Sequence, residues 1–243
     1  MTMPRKLTPE MLDGLSENDS LAIHSRGDLR RIHRLMGTLT IIVKVLRKLP
    51  IKKPLKVLEL GAGDGVLLLR IACKLEPYWS HVELTLLDQQ DLVSSQTIKA
   101  YSQFGWIVAV QKTDVLEWAN NATEQYDLII ANLFLHHFSS DQLLILFQRI
   151  KLQTNCFFAC EPRRHWLALA GSHLVGLIGA NQVTKMDAVI SVHAGFRDQE
   201  LSTLWSTEKH SISQRFGESW NINEYAAGLF SHCFFSAKKI VGC

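Results

Sequence analysis

Three groups of residues have the types and spacing to do chemistry. The first is the stretch VLELGAGDG at residues 57–65, where an apolar run reaches Glu59 and breaks into Gly61, Gly63 and Gly65. Such glycines let the backbone turn tightly and let a ligand approach with no Cβ in the way. A GxGxxG turn cradles a pyrophosphate at the start of the following helix. Here the third glycine comes too early, and Val66 stands where that fingerprint wants a small residue. Asp64 lies at the expected helix start and Glu59 adds a second negative charge before the turn. These acids repel a diphosphate and favour a ligand that carries positive charge. S-adenosylmethionine, with a sulfonium, an ammonium and no phosphate, suits the turn better than NAD does.

The second group is a series of carboxylates at successive strand ends. Asp88 closes the run ELTLLD, 27 residues beyond Gly61. In a doubly wound sheet this places it beside the first turn, able to accept both hydroxyls of an adenosine ribose. Asp114 in KTDVLEW is placed for an adenine amino group, with Val115 against the ring face. Each acid alone fits a helix cap as well; their common order and spacing point to a nucleoside site.

The third group could act on an acceptor. His136 and His137 follow the run DLIIANLFL, and an imidazole with a pKa near 6.5 suits the removal of a proton from a phenol with a pKa of about 10. Either histidine is the expected base, with capping or packing as the alternative, and His193 in ISVHAGF is the second candidate. Glu161, Arg163 and Arg164 leave a further strand at the same rim, and Arg197 follows later. An arginine there could steady an oxyanion, or form an ion pair with Glu161.

These groups need a scaffold, and the chain alternates strand and helix patterns to supply one. Strands are expected at LKVLEL, HVELTLLD, WIVAVQ, YDLIIAN and CFFACEP, and helices at GVLLLRIACKL, DLVSSQTIKAYSQF and SDQLLILFQRI, the last capped by Ser140 or Asp141. Strands separated by helices pair in parallel, and near-continuous apolar strands are covered on both faces. Residues 1–20 are polar and predict a loose lead-in, and residues 28–49 predict one helix ended by Pro50 and Pro54. After Pro162, HWLALAGSHLVGLIGA is apolar almost all round, so it must be buried, line an apolar pocket or pack against a second copy as a homodimer. KMDAVISVHAGF and RDQELSTLW predict short helices, and HSISQRFGES with AAGLFSHCFFSAKK a closing pair of strands. With no repeat and no linker, 1–243 is expected to be one domain.

Composition narrows the class. The 243 residues carry a net charge of +3, too small to imply nucleic acid or a membrane as partner. The basic residues Lys44, Arg47, Lys48, Lys52, Lys53 and Lys56 fit a solvated helix end better than an RNA patch. Five cysteines without a CxxC pair argue against a disulfide framework and a zinc site, and no metal is expected. The polar N-terminus lacks a signal-peptide core, and no apolar run approaches the roughly 20 residues of a membrane span. The expected setting is the cytoplasm.

Over roughly residues 28–243 the sequence resembles the class I S-adenosylmethionine-dependent methyltransferases. LELGAGDG resembles their first motif, and LLDQQ, KTDVLEW and DLIIANLFLHHF resemble the acid after strand two, the adenine-binding acid and the fourth-strand motif. The resemblance implies a Rossmann-like, doubly wound seven-stranded sheet, mostly parallel with an antiparallel last strand and helices on both faces. It places Glu59, Gly61, Ala62, Gly63 and Gly65 at the methionine part of S-adenosylmethionine, Asp88 and Gln89 at the ribose, Asp114 and Val115 at the adenine, and Asn132 and Leu133 beside them. Residues 1–50 become a helical lid and 163–206 a helical substrate cover inserted after the fifth strand.

The stretches ACEPRR, LALAGSHLVGLIGAN, DAVISVHAGF and AGLFSH resemble a bacterial branch often encoded near type III polyketide synthases, which implies a small phenolic or pyrone acceptor. O-methylation is favoured and C-methylation stays open. The fourth strand ends in Asn132-Leu133-Phe134 rather than Asn/Asp-Pro-Pro-Tyr/Phe, which disfavours methylation of a DNA base or a protein glutamine. An NAD-dependent oxidoreductase and a non-catalytic nucleoside-binding module are the alternatives.

Overall fold

The fold was obtained as a computed structural model, which describes residues 3–49, 54–207 and 219–239. Five strands alternate with helices: β1 (Leu55–Leu60), β2 (Val82–Asp88), β3 (Trp106–Lys112), β4 (Leu128–Asn132) and β5 (Cys156–Pro162). With β6 (Trp220–Ala227) and β7 (Ser231–Lys238) they form one sheet in the order β3-β2-β1-β4-β5-β7-β6. β1 to β5 pair in parallel, and β7 runs antiparallel to both its neighbours. The expected seven-stranded, mostly parallel α/β sheet is therefore present. The chain steps outward from β1 to β2 and β3, then returns to place β4 on the other side of β1. The loops after β1 and β4 thus leave in opposite directions and open a crevice at the carboxyl ends of these strands.

Helices cover both faces. α2 (Thr38–Leu46), α3 (Val66–Leu75) and α4 (Ser95–Ser102) lie over one core, around Val57, Leu84, Ile130 and Phe158. α5 (Val115–Asn121), α6 (Ser140–Gln153) and α9 (Glu200–Ser206) lie over the other, where Phe147, Phe157, Trp205 and Phe234 pack ring on ring. α1 (Ser20–Met36), α7 (Trp166–His173) and α8 (Gln182–Ala194) gather at the crevice.

Several expectations shift. The helix expected over 28–49 is two helices, because Gly37 adopts φ 69°, ends α1 and turns the chain into α2. α1 starts earlier than expected, at Ser20, where the Asp19 side chain caps it by accepting from Leu21 N, and its buried residues are Ala22, Ser25 and Asp28 rather than large apolar ones. Asp28 accepts hydrogen bonds from Asn181 N and Thr184 Oγ1 of α8, which docks the two helices. The cap of α6 is Ser139 rather than Ser140 or Asp141, in a reciprocal box with Gln142. α5 forms in a stretch to which no element was assigned, with Asp114 as its cap. The apolar run after His165 is α7 followed by a 3-10 turn at Val175–Ile178, and Trp166 and Leu177 are 66% and 83% exposed. The expected strand HSISQRFGES falls, except for Ser219, outside the described residues. β7 pairs instead with Trp220–Ala227, and AAGLFSHCFFSAKK spans the end of β6, a turn and β7.

The polar lead-in is not loose over residues 3–19. Lys6 N donates to His193 O, Arg164 Nε donates to Met3 O, and Met11 N and Leu12 N donate to Asp187. This strap crosses the mouth of the crevice. Lys44, Arg47 and Lys48 are exposed around the end of α2, Lys56 lies on β1 and pairs with Glu83 and Glu124, and Lys52 and Lys53 fall outside the described residues. No helix among the described residues is long and apolar enough to cross a membrane.

Candidate functional site

A cavity of about 660 Å³ occupies the crevice. Its floor is the glycine turn and the ends of β2 and β4. Its walls are α1, α7, the 3-10 turn, α8 and the strap. Glu59, Gly61, Ala62, Gly63, Asp88, Gln89, Asp114, Val115, Asn132 and Leu133 all line it. Gly65 does not. It sits behind the turn at φ 69°, where an added Cβ would lie 3.0 Å from Leu86 Cδ1, and its carbonyl accepts from Tyr101 Oη. Gly65 is therefore a packing glycine, needed for close approach of α3 to the sheet.

The turn is stitched to β2. Gly61 N and Ala62 N both donate to Leu87 O, and Gly63 N donates to Asp88 Oδ2. Gly61 has φ 68°, and a Cβ on it would lie 2.1 Å from the Phe134 ring. Two oxygens at this end are buried and have no partner in the protein: Glu59 Oε2 and Asn132 Oδ1. Burial, helped by the charges of Asp64 and Asp88, pushes the Glu59 carboxyl well above the usual carboxylate range. A buried acid left in this condition is stabilised by a cation or donor that comes with a ligand. Asp64 departs from expectation, because Arg30 of α1 binds it at 2.8 Å. The charge that was to repel a diphosphate is thus neutralised from within the chain, and the preference for a cationic ligand rests on Glu59. Asp114 caps α5, accepting from Leu116 N and Glu117 N through Oδ1.

Leu133 ends β4 in a strained conformation, φ 50°, and delivers the next residues to the cavity. There Glu161, fully buried at the end of β5, accepts from the backbone N of Phe134, Leu135 and His136, and binds His136 Nδ1 at 2.8 Å. Glu10 of the strap binds His136 Nε2 at 3.2 Å and also accepts from Ser191. Burial alone would lower the His136 pKa, but the bonds to Glu10 and Glu161 reverse this and hold it at about 9. Both ring nitrogens are occupied and the proton stays at neutral pH, so His136 is not the free base that was expected. His137 lies beside it, ring centroids 4.2 Å apart, with Nδ1 3.2 Å from Asp13 Oδ2.

The other acceptor-side candidates do not come together. The imidazole of His193 lies off the cavity wall. Glu161 is beneath the histidines instead of at the rim. Arg164 is buried and holds Met3 O, Gly195 O and Glu200, so it anchors the strap and the loop before α9. Arg163 donates to Gly228 O, and Arg197 pairs with Asp198. No arginine pairs with Glu161 among the interactions of the described residues.

Glu10 and Asp13 line the cavity but carried no signal in sequence, because only long-range packing brings them there; of Arg30, Arg31, His33 and Arg34, among which the sequence could not choose, Arg30 and His33 line it. His33 Nε2 is buried without a partner, and burial lowers its pKa to about 4, against the opposing charge of Asp64. Most of the remaining surface of the cavity is apolar, with Ile32, Phe138, Ala168, Val175 and Ile178 along it.

No family model matches the chain. Two curated relatives are tRNA1(Val) (adenine(37)-N6)-methyltransferases. That of Erwinia tasmaniensis is 32% identical over 84 residues, 34% of each chain, and that of an Enterobacter species is 31% identical over 85 residues. The chain thus spans about a third of the length of the curated relatives it matches. Among solved structures, the plantazolicin methyltransferase BpumL, in complex with a triazolic desmethylPZN analog and SAH, aligns over 89% of this chain and 90% of its own, with TM-score 0.59 and 15% identity. Human N-acetylserotonin methyltransferase in complex with SAM aligns over 93% of this chain and 57% of its own, with TM-score 0.56 and 15% identity. At such identities the likeness establishes a shared fold.

Proposed function

We propose that the protein is an S-adenosylmethionine-dependent methyltransferase acting on a small apolar acceptor, a phenol or pyrone of polyketide type, with transfer to oxygen. The observation that carries this reading is Glu59, a buried carboxylate with one unpartnered oxygen at the glycine turn of a methyltransferase-like fold. The residues present fit the cofactor. Glu59, Gly61 and Gly63 would hold its charged amino-acid part, Asp88 its ribose, and Asp114 and Val115 its adenine. Bound there, it supplies an activated methyl group.

The chain's own work is to align the acceptor and exclude water. The apolar walls receive the acceptor body, and the strap and α8 close over it. Residues 1–50 serve as lid and 163–206 as cover. The acceptor oxygen meets the corner formed by Glu10, His136 and His137, and its proton passes to His137 or to water, since both nitrogens of His136 are engaged. The similarity to tRNA methyltransferases favours no RNA acceptor here, because Phe134 stands two residues after Asn132 with no proline between.

Two measurements test the reading. Calorimetry is expected to give heat with S-adenosylmethionine and S-adenosylhomocysteine and none with NAD; the reverse would reject it. Incubation with labelled cofactor and a panel of alkylresorcinols and alkylpyrones, followed by mass analysis, is expected to place one methyl group on an acceptor oxygen. Label on ring carbon would correct the assignment to C-methylation.

A further inference from the structure

The histidine corner has the composition and geometry of a metal site. Glu10, His136 and His137 each offer one ligand atom, and these atoms lie within 4.8 Å of one another. His136 Nε2 and Glu10 Oε1 are 3.2 Å apart. That is close to the edge of about 3.3 Å that a tetrahedron has when its ligands stand about 2.0–2.1 Å from a central ion. The supporting interactions are also those of a metal centre. A histidine ligand usually gives its second nitrogen to a carboxylate, which fixes the ring and its tautomer. Here Glu161 holds His136 Nδ1 at 2.8 Å from beneath, and it is itself fixed by three backbone N–H groups. Asp13, outside the triangle, holds His137 Nδ1. The corner therefore places two oriented imidazoles and one carboxylate on the wall of a cavity, with space on the cavity side for further ligands.

We propose that Glu10, His136 and His137 bind one divalent first-row transition ion, of which zinc is the type, and that an acceptor oxygen or water completes its coordination from the cavity. Two imidazoles and a carboxylate suit Zn²⁺, Fe²⁺, Mn²⁺ or Co²⁺ and disfavour Mg²⁺, which prefers oxygen ligands. The ion takes the place of the proton that His136 and Glu10 otherwise share, and that proton leaves to solvent. A coordinated phenol or enol loses its proton more readily, as water does on zinc. Binding of the ion is independent of the methyltransferase reading; only its role toward an acceptor rests on it.

The test uses the full chain, freed of metal by chelator and returned to chelator-free buffer. Titration with Zn²⁺ is expected to show one equivalent bound, and Co²⁺ to develop visible d–d absorption typical of nitrogen and oxygen ligands. Glu10→Ala and His137→Ala are each expected to weaken Zn²⁺ binding by about 10–100-fold, as loss of a ligand or its support does. S-adenosylmethionine binding, followed separately, should change little in both variants. Glu10 lies on the strap, so its substitution leaves the sheet intact even if His136 variants fail to fold. The proposal is overturned if no stoichiometric Zn²⁺ binds, or if both variants bind it as tightly as the parent. Loss of S-adenosylmethionine binding in the parent, with Zn²⁺ bound, would instead overturn the methyltransferase reading and leave the ion site standing.

Discussion

The two ends of the cavity handle buried acid in opposite ways. At the glycine turn Glu59 is buried with an oxygen that nothing in the chain satisfies, and its carboxyl is pushed up. At the histidine corner Glu10 is half-buried, but hydrogen bonding and charge from His136 hold its carboxyl below the usual range despite that burial. One end is incomplete without a ligand; the other is completed by the chain itself, through a strap that comes from far away in sequence. A carboxylate that lacks a partner calls for a cation or donor from outside, whereas one held by a protonated histidine can take a cation only in exchange for that proton.

The strongest way to break this contrast is at Gly61. An alanine there must adopt φ 68° and displace the Phe134 ring. Together the backbone strain and the overpacking should cost about 3 kcal/mol of folding stability, measured by denaturant melts. At Gly63, where a Cβ meets open space, the same change carries only the backbone cost of about 1 kcal/mol. Equal effects at the two positions would show that Phe134 is not held where the structure puts it.

Glu59→Gln sharpens the contrast because its two effects have opposite sign. Cofactor affinity should fall about tenfold to a hundredfold, the worth of a hydrogen bond to a charged group. The ligand-free protein should become more stable at neutral pH. The raised pKa means that the folded state holds its proton more tightly than the unfolded chain, so stability falls as pH climbs above 4.5 and glutamine removes that slope. Thermal melts with and without cofactor measure both.

Arg5→Met addresses the other end. Arg5 donates to the carbonyls of Ala194, His136 and Phe138. Its loss should cost about 1.5–3 kcal/mol of local stability, seen as faster hydrogen exchange over residues 6–19, with cofactor affinity unchanged. The smallest effect is expected at the α1–α8 dock. Burial would raise the Asp28 carboxyl, but Asn181 N, Arg31 and Thr184 hold it below its usual value. Its contribution is therefore present above pH 3.8 and lost as pH falls through the lower folded value. Asp28→Asn should flatten the acid limb of the stability profile by about 1 kcal/mol.

The same contrast explains what could be read from sequence. The glycine turn and the acids Asp88 and Asp114 belong to local patterns, strand then turn then helix, and the five parallel strands declare themselves as apolar runs. The histidine corner is half local: His136 and His137 follow β4, but Glu10 and Asp13 come from a polar stretch with no periodicity. α1 was legible only in its second half, because its first buried face is Ala22, Ser25 and Asp28, residue types that read as surface. β6 was missed for a related reason. It is an edge strand, and among Trp220–Ala227 only Glu224 is buried, where it binds His232 and the start of α9. Glu161 was read as a rim acid because sequence gives the strand end but not the depth at which its side chain is buried.

The strap imposes an order of assembly. Residues 3–13 are synthesised at least a hundred residues before the groups that seat them, His193 O, Asp187, Arg164 and His136. The glycine-turn end of the cavity can form as soon as β1, β2 and β4 pair, while the histidine corner waits for α8 and then for the strap to swing back across it. A nascent or partly unfolded molecule would therefore have the turn before it has a closed chamber.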